Sequence, residues 1–432
     1  MTVAVSVALG VVQGLLLLCL AHHYGLLAAS MRSSPPLRCV SGSAPSTRFA
    51  IAIPAHNEAP VLSATLARLQ QQAYPSELFD VHVVADHCTD ATADVARQGG
   101  AFVHERDTLP KGRKAYALQW LLERILDRDP PYDAVAIFDA DSLVDPGFLA
   151  AMHCHLLAGE RVLQGQHIIS NPGDALFAAL AAVDMRLNNR LRNQSRHNLG
   201  FSCRLMGDAM VLDARILRAV GWLGQSVSED REYGYELTLR GIRVCYVPEA
   251  QSYGQAVSTW VEAGPQRLRW HGGAAGMRRR LAGRLVAGAF RTVSPALLDA
   301  SLELILPSYS VLTAVSALNL AVVAALGLLT PLFLPGPSVA ELPWAASQAG
   351  QASIRGILGW AGSAALLAAW GLYPVLGLLV DRAPRWAFRA LLIGPAYLLW
   401  RLWIALLVRV RGADGVAWVR TPRRRETDGG SR

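Results

Sequence analysis

Two carboxylates close the apolar run Ala134-Val-Ala-Ile-Phe138: Asp139 and Asp141, set at i and i+2 and followed by Ser142. Strand alternation sends both side chains to one side. Hard oxygen donors so placed suit a divalent cation that is shared with an anionic ligand. A second acidic group, Ser228-Glu-Asp230, with Glu232 close behind, offers carboxylates able to take a proton from an attacking hydroxyl. The only lysines of the chain, Lys111 and Lys114, fall together in Lys111-Gly-Arg-Lys-Ala-Tyr-Ala-Leu118, whereas positive charge elsewhere is arginine. A compact point charge fits a site rich in phosphate, and the plain alternative is the start of a solvated helix.

Residues of this kind need rigid elements to hold them. Short apolar runs (Phe49-Ala-Ile-Ala-Ile53, Val81-His-Val-Val-Ala85 and Ala134 to Phe138) alternate with helical stretches, which predicts buried parallel strands in an α/β domain over 48–270. Each run ends in a polar cluster: Pro54-Ala-His-Asn-Glu58, Asp86-His-Cys-Thr-Asp90 and Asp139-Ala-Asp141. Ligands of open α/β sheets sit at such strand ends, so the three clusters are expected to face one site.

The flanks have another character. Residues 1–31 carry an uncharged apolar run of the length that spans a bilayer, and Arg32, Arg38 and Arg48 follow it, which places the downstream side in the cytoplasm. Residues 32–47 read as a Ser/Pro linker. Within 271–300, arginines interleave with Leu281, Leu285, Val286 and Phe290, predicting a basic amphipathic helix on the membrane surface. The region 301–410 contains apolar stretches at 302–334, 357–380 and 386–410, and a basic tail occupies 411–432. The stretch 386–410 contains Arg389, Arg401 and Gly394-Pro395, which favours an interfacial or re-entrant segment over another span.

The clusters also occur in the order of a known family. Pro54-Ala-His-Asn-Glu58, Asp86, Asp139-Ala-Asp141, Ser228-Glu-Asp230 and Gln266-Arg-Leu-Arg-Trp270 together resemble the motifs of membrane-bound family-two inverting glycosyltransferases, a group that includes cellulose, hyaluronan and poly-N-acetylglucosamine synthases and ceramide glucosyltransferase. The resemblance implies a GT-A-type fold with a mostly parallel sheet, a UDP-sugar donor and a Mg2+ or Mn2+ cofactor. It implies that Pro54, Glu58, Asp86, Lys114, Asp139 and Arg269 hold the sugar nucleotide and that Asp141 binds the metal. Asp230 becomes the expected general base, with Glu229 and Glu232 as competitors. Gln266, Trp270 and Asp208 are expected around the acceptor. Asp208 departs from the glycine or threonine usual there. Glu58 reads equally as a carboxylate at a helix N-terminus, and Asp90 as a helix cap.

Composition sets the bounds. A hydrophobic fraction of 52%, with 17% charged residues and a net charge of +8, suits a membrane protein with lipid or phosphate partners rather than nucleic acid. Six scattered cysteines without CxxC pairs read as reduced thiols, in keeping with a cytoplasmic domain at the inner membrane. Two transferase variants stay open: a polysaccharide synthase, with a homo-oligomer or export partner, and an enzyme that adds one sugar to a membrane lipid. The rival of another class is an inactive nucleotide-binding scaffold or sensor.

Overall fold

The computed structural model describes residues 2–32, 44–223, 228–333 and 343–411. The expected linker therefore falls largely, and the basic tail almost wholly, outside the described residues. Helix α1 (Thr2–Ser30) is followed by an alternating segment: β1 (Phe49–Ala55), α2 (Ala59–Leu69), β2 (Phe79–Asp86), α3 (Thr92–Gln98), β3 (Phe102–Arg106), α4 (Lys114–Leu126), β4 (Ala134–Ile137), β5 (Leu143–Val144), α5 (Phe148–Leu157), β6 (Val162–Ile169) and α6 (Leu176–Leu187). After a π-helical stretch come α7 (Ser195–Leu199), β7 (Met210–Asp213), α8 (Ala214–Val220), α9 (Glu229–Leu239), β8 (Val244–Gly254), α10 (Trp260–Thr292) and α11 (Pro295–Ile305). The remainder is helical: α12 (Tyr309–Phe333), α13 (Pro343–Val380), α14 (Arg385–Leu391) and α15 (Gly394–Arg411).

The eight strands form one sheet in the order β3-β2-β1-β4-β7-β6-β8-β5. β1 runs parallel to β2 and β4, and β2 to β3, so the expected α/β architecture is present and the three polar clusters emerge at one edge. β7 runs antiparallel to both β4 and β6. Apolar layers cover both faces: Ile51, Leu62, Phe138 and Phe148 belong to one, Leu118, Leu121, Tyr233 and Tyr246 to the other. β4 is buried along its whole length, as its run of Ala, Val and Ile requires.

Three helical segments among the described residues are long and apolar enough to cross a membrane: Val7–Ser30, Tyr309–Leu326 and Gly359–Val380. Of the stretch 302–334, the first part instead completes α11. Leu306 is extended in front of Pro307, which cannot continue a helix, and α12 starts afresh at Tyr309. α14 and α15 meet at 58°, the geometry of a broken span or a re-entrant segment. Ala387, Ala390 and Tyr397 from this pair pack on Phe177 and Leu180 of α6 and on Ala263 of α10.

Two expectations are corrected. The basic helix is not a separate unit over 271–300: α10 is one helix of 33 residues that begins upstream of Gln266. Much of its apolar face is not left for lipid, because Met277, Leu281, Leu285 and Ala289 are buried against Tyr235, Leu297, Ala300 and Leu304, whereas Phe290 stays 75% exposed. Arg280 bonds Glu232 at 2.6 Å, and Arg284 pairs with Glu236, so part of the basic face is tied to α9 as well. Periodicity announces a buried face without naming what buries it. The second correction concerns the cysteines. Cys19, Cys88, Cys203 and Cys245 are free, but Cys154 is disulfide-bonded. Sequence spacing does not reveal which thiols a fold brings within reach.

Candidate active site

At the carboxyl ends of β1, β2 and β4 lies a cavity of about 1190 Å³. Pro54, Glu58, Asp86, Lys114, Asp139, Asp141, Asp208, Asp230, Gln266 and Trp270 all line it. Of the site residues expected from sequence, only the Arg269 side chain falls outside what the structure describes; its backbone lies in α10.

β1 delivers Pro54 at its end, and the chain then turns through Asn57, whose φ of 56° is left-handed, into α2. Glu58 stands at the N-terminus of α2 without capping it through its side chain, and it is buried. Asp86 ends β2, and its carboxylate accepts from the His87 ring at 2.9 Å and from Arg106. Arg106 is a site residue that sequence reading missed. It is fully buried and lies across from Asp86 in the β2–β3 register, so knowledge of that pairing would have found it. Asp90 is not the cap of α3, which is Ala91; it stands one residue earlier, its carboxylate accepting from the backbone N–H of Thr92 at 3.0 Å.

Lys114 opens α4 and reaches over the site, donating to Asp139 Oδ1 at 2.5 Å and to the Gly207 carbonyl at 2.6 Å. Burial opposes its charge, but Asp139, Glu229 and Asp208 outweigh that and hold its pKa above the ordinary lysine value. Gly207 has φ +82°, and a Cβ there would stand 3.3 Å from Asp230 Oδ2 and 3.8 Å from Lys114 Nζ. Asp230, half-buried in the first turn of α9, thus lies beside the Lys114–Asp139 pair. Burial pushes its carboxyl up; burial and then the charge of Asp230 push Glu229 up to about 7. Two adjacent, poorly solvated acids are placed to exchange protons. Glu232 instead takes part in the bond from Arg280, which ties it to α10.

Asp208 lines the cavity but is almost fully buried. Since Ile137 pairs with Met210 in an antiparallel register, Asp208 falls next to Asp139. Its carboxylate is 3% exposed and receives four donors: the Asp139 backbone N–H at 3.0 Å, Ser142 Oγ at 2.6 Å, His167 Nδ1 at 2.7 Å and Ser252 Oγ at 2.7 Å. Burial opposes ionisation, yet the bond and charge of His167 hold the Asp208 carboxyl well below the usual range. Asp208 therefore clamps the turn that carries Asp139, Asp141 and Ser142. Nothing in the sequence pointed to His167, because its place depends on the β6–β8 pairing that sets it opposite Ser252.

Trp270 is 41% exposed on α10, with the Arg267 guanidinium 4.8 Å from its ring centroid. α10 comes close to the acidic motif at Gly273, where a Cβ would lie 2.7 Å from Ser228 Oγ. Among the described residues no group of three or more His, Cys, Asp and Glu side chains could hold a metal alone. Asp141 fits a hard cation that completes its shell with phosphate oxygens and water, as Mg2+ commonly does.

Comparison with known proteins agrees with this arrangement. Residues 45–273 match the sequence family described as "Glycosyltransferase like family 2". The chain is 24% identical over 256 residues to glucomannan 4-beta-mannosyltransferase 7 of Arabidopsis thaliana, covering 57% of this chain and 46% of that protein. It is 25% identical over 253 residues to beta-monoglucosyldiacylglycerol synthase of Synechocystis sp., covering 57% and 52%. The chain thus spans about half the length of the curated relatives it matches. In fold it is similar to a mannosyltransferase from Pyrobaculum calidifontis solved in complex with GDP-Man and Mn2+, with a TM-score of 0.51 and 17% identity over 86% of this chain and 99% of that one. With the motif order, the sheet and the match over more than half its length in agreement, the chain belongs to glycosyltransferase family 2.

Proposed function

We propose that the chain is an inverting glycosyltransferase, attached to the inner membrane with its catalytic domain in the cytoplasm, that moves a sugar from a UDP-sugar to a hydroxyl of a saccharide or lipid acceptor. The observation that carries this reading is the bridge from Lys114 to Asp139 and Gly207 with Asp230 beside it. Pro54, Glu58 and Asp86 form the end of the cavity that takes the base and ribose, with Arg106 holding Asp86 in place. Lys114 meets the negative charge of the diphosphate, and Asp139 orients Lys114. Arg269 is assigned to the same diphosphate. Asp230 accepts the proton of the acceptor hydroxyl as that oxygen attacks the anomeric carbon from the face opposite the departing diphosphate. Gln266 and Trp270 form the flat wall on which the incoming group rests. A bound Mg2+ or Mn2+, held by Asp141 and the phosphates, would stabilise charge on the leaving group.

The test is release of UDP from common UDP-sugars by the purified full chain, with and without Mn2+. Release that depends on the cation and collapses in Asp141→Ala supports the reading. No release by the wild type overturns it in favour of an inactive nucleotide-binding scaffold, and unchanged release by Asp141→Ala overturns the reading of Asp141 as the holder of the cation.

A further inference from the structure

Asp86 is the last residue of β2, and the parallel register places Arg106, the last residue of β3, directly beside it. Arg106 is 2% exposed and stands behind the wall, whereas Asp86 and His87 line the cavity. Two donors meet on one carboxylate oxygen: Arg106 Nη1 and, at 2.9 Å, His87 Nδ1 both donate to Asp86 Oδ1. Arg106 is anchored a second time, its Nη2 donating to the Pro110 carbonyl at 2.5 Å. The backbone holds His87 too, since its φ of 50° is left-handed and its N–H donates to the Arg106 carbonyl at 2.8 Å. The Asp86 carbonyl accepts from His56 Nδ1 at 2.6 Å, which fixes the peptide that carries the carboxylate. Oδ2 accepts no hydrogen bond from any described residue, and the side chain keeps 10% of its surface exposed where it lines the cavity. The carboxylate is thus fixed in rotation and offers a ligand one acceptor atom.

Bases differ in what they give such an atom. Uracil presents a single N–H, at N3, between two carbonyl oxygens. Guanine presents two donors side by side, N1–H and the 2-amino group, which a carboxylate meets with both of its oxygens. Cytosine has a bare acceptor nitrogen where uracil has its N–H. A pinned Oδ2 satisfies the uracil edge, leaves a guanine donor unpaired on burial, and sets acceptor against acceptor with cytosine. We infer that Arg106 and His87 are specificity-determining residues of the donor site: by occupying Oδ1 of Asp86 they leave one acceptor for the base, which selects uridine diphosphate donors over guanosine and cytidine ones. The inference rests on the transfer reading above, which puts the base at Asp86. Arg106 acts through Asp86 and does not touch the nucleotide.

The experiment is calorimetric titration of the purified full chain, in mild detergent with Mn2+, by UDP, GDP and CDP, with no sugar donor and no acceptor present. UDP should bind at least about tenfold more tightly than the other two, the factor that one unpaired buried donor or one opposed pair of acceptors implies. Asp86→Asn gives the sharper readout. Its amide oxygen has to stay on the side where Arg106 and His87 donate, so its NH2 takes the place of Oδ2 and faces the base. That group opposes N3–H of uracil and donates to N3 of cytosine, so UDP should weaken and CDP should strengthen, each by about tenfold. Arg106→Met keeps the buried stem and frees Oδ1 to turn toward the cavity, which should narrow the preference for UDP over GDP by about tenfold. If Arg106→Met does not fold, Asp86→Asn decides alone, because it leaves Arg106 in place. GDP or CDP binding to the wild type as tightly as UDP overturns the inference, as does an equal loss of all three nucleotides in Asp86→Asn or an unchanged UDP-to-GDP ratio in folded Arg106→Met. Selective UDP binding by a chain that releases no UDP from UDP-sugars would refute the transfer reading and leave the base selection standing; turnover of GDP-sugars in place of UDP-sugars would do the reverse.

Discussion

Asp208→Asn removes one oxygen from a carboxylate that receives four donors at 2.6 to 3.0 Å. The amide has one acceptor end. The backbone N–H of Asp139 cannot rotate away, so the remaining oxygen should stay on that side with Ser142, and the new NH2 should face His167 and Ser252. The Ser252 hydroxyl can turn to accept, but His167 loses the anion that keeps its pKa raised against burial. One charge-assisted bond and the pairing of a buried cation are lost together, about 3 kcal/mol. The turn bearing Asp139 and Asp141 is loosened at the same time, which should reduce kcat/KM for donor by about ten- to a hundredfold. Denaturation of the purified full chain in mild detergent measures the first effect, and UDP release against donor concentration the second. His167→Gln should cost a similar amount. The double variant should cost less than the sum by about 1.5 kcal/mol or more, because the two side chains interact directly. Additivity to within about 0.5 kcal/mol, or wild-type donor kinetics in Asp208→Asn, would refute the clamp.

Further substitutions separate the remaining roles. Asp230→Asn should retain donor binding in a calorimetric titration and lower turnover by about a hundredfold to ten-thousandfold, the contribution of a placed general base. Gly207→Ala should destabilise the chain by about 1–2 kcal/mol from its left-handed backbone and depress turnover as well, since the added carbon presses on Asp230; a fall in thermal midpoint without a fall in turnover would break that link. Away from the site, buried His155 donates from Nδ1 to Glu160 at 2.6 Å and from Nε2 to Glu249 at 2.9 Å. Burial opposes its protonation, but the two carboxylates raise its pKa from 6.5 to about 9. A raised folded pKa means stability that is complete below the unfolded value and is lost as pH rises through the folded one. The wild type should therefore lose about 2–3 kcal/mol between pH 6.5 and a pH above 9, and His155→Gln should flatten that part of the pH profile of stability.

The half of the candidate site proposed to take the donor was legible because its residues sit where strands end. A four-residue apolar run is buried whatever its neighbours are, and the carboxylates that follow must emerge at the sheet edge, so Asp86, Asp139 and Asp141 could be placed without knowing strand order. The position of Asp230 followed from motif order in the same way. Arg106, His167 and the true partners of Asp208 were not legible, because each depends on a register between strands far apart in sequence. The arginine spacing in α10 was visible, but the helix's apolar stripe could not say whether lipid or α11 would cover it. The disulfide at Cys154 was hidden for the same reason: proximity in space leaves no mark on spacing in the chain.

The cavity is built by two parties. Its strand-end carboxylates come from the segment that matches the family, residues 45–273, whereas His23, Leu26, Glu303, Tyr309, Tyr373 and Arg401 reach it from outside that segment. On the transfer reading proposed above, altering the helices at either end of the chain would reshape this part of the cavity and leave the strand-end carboxylates in place. A fragment of residues 45–273 would lack those cavity walls, so on the same reading donor hydrolysis by it would say little about the product the full chain makes.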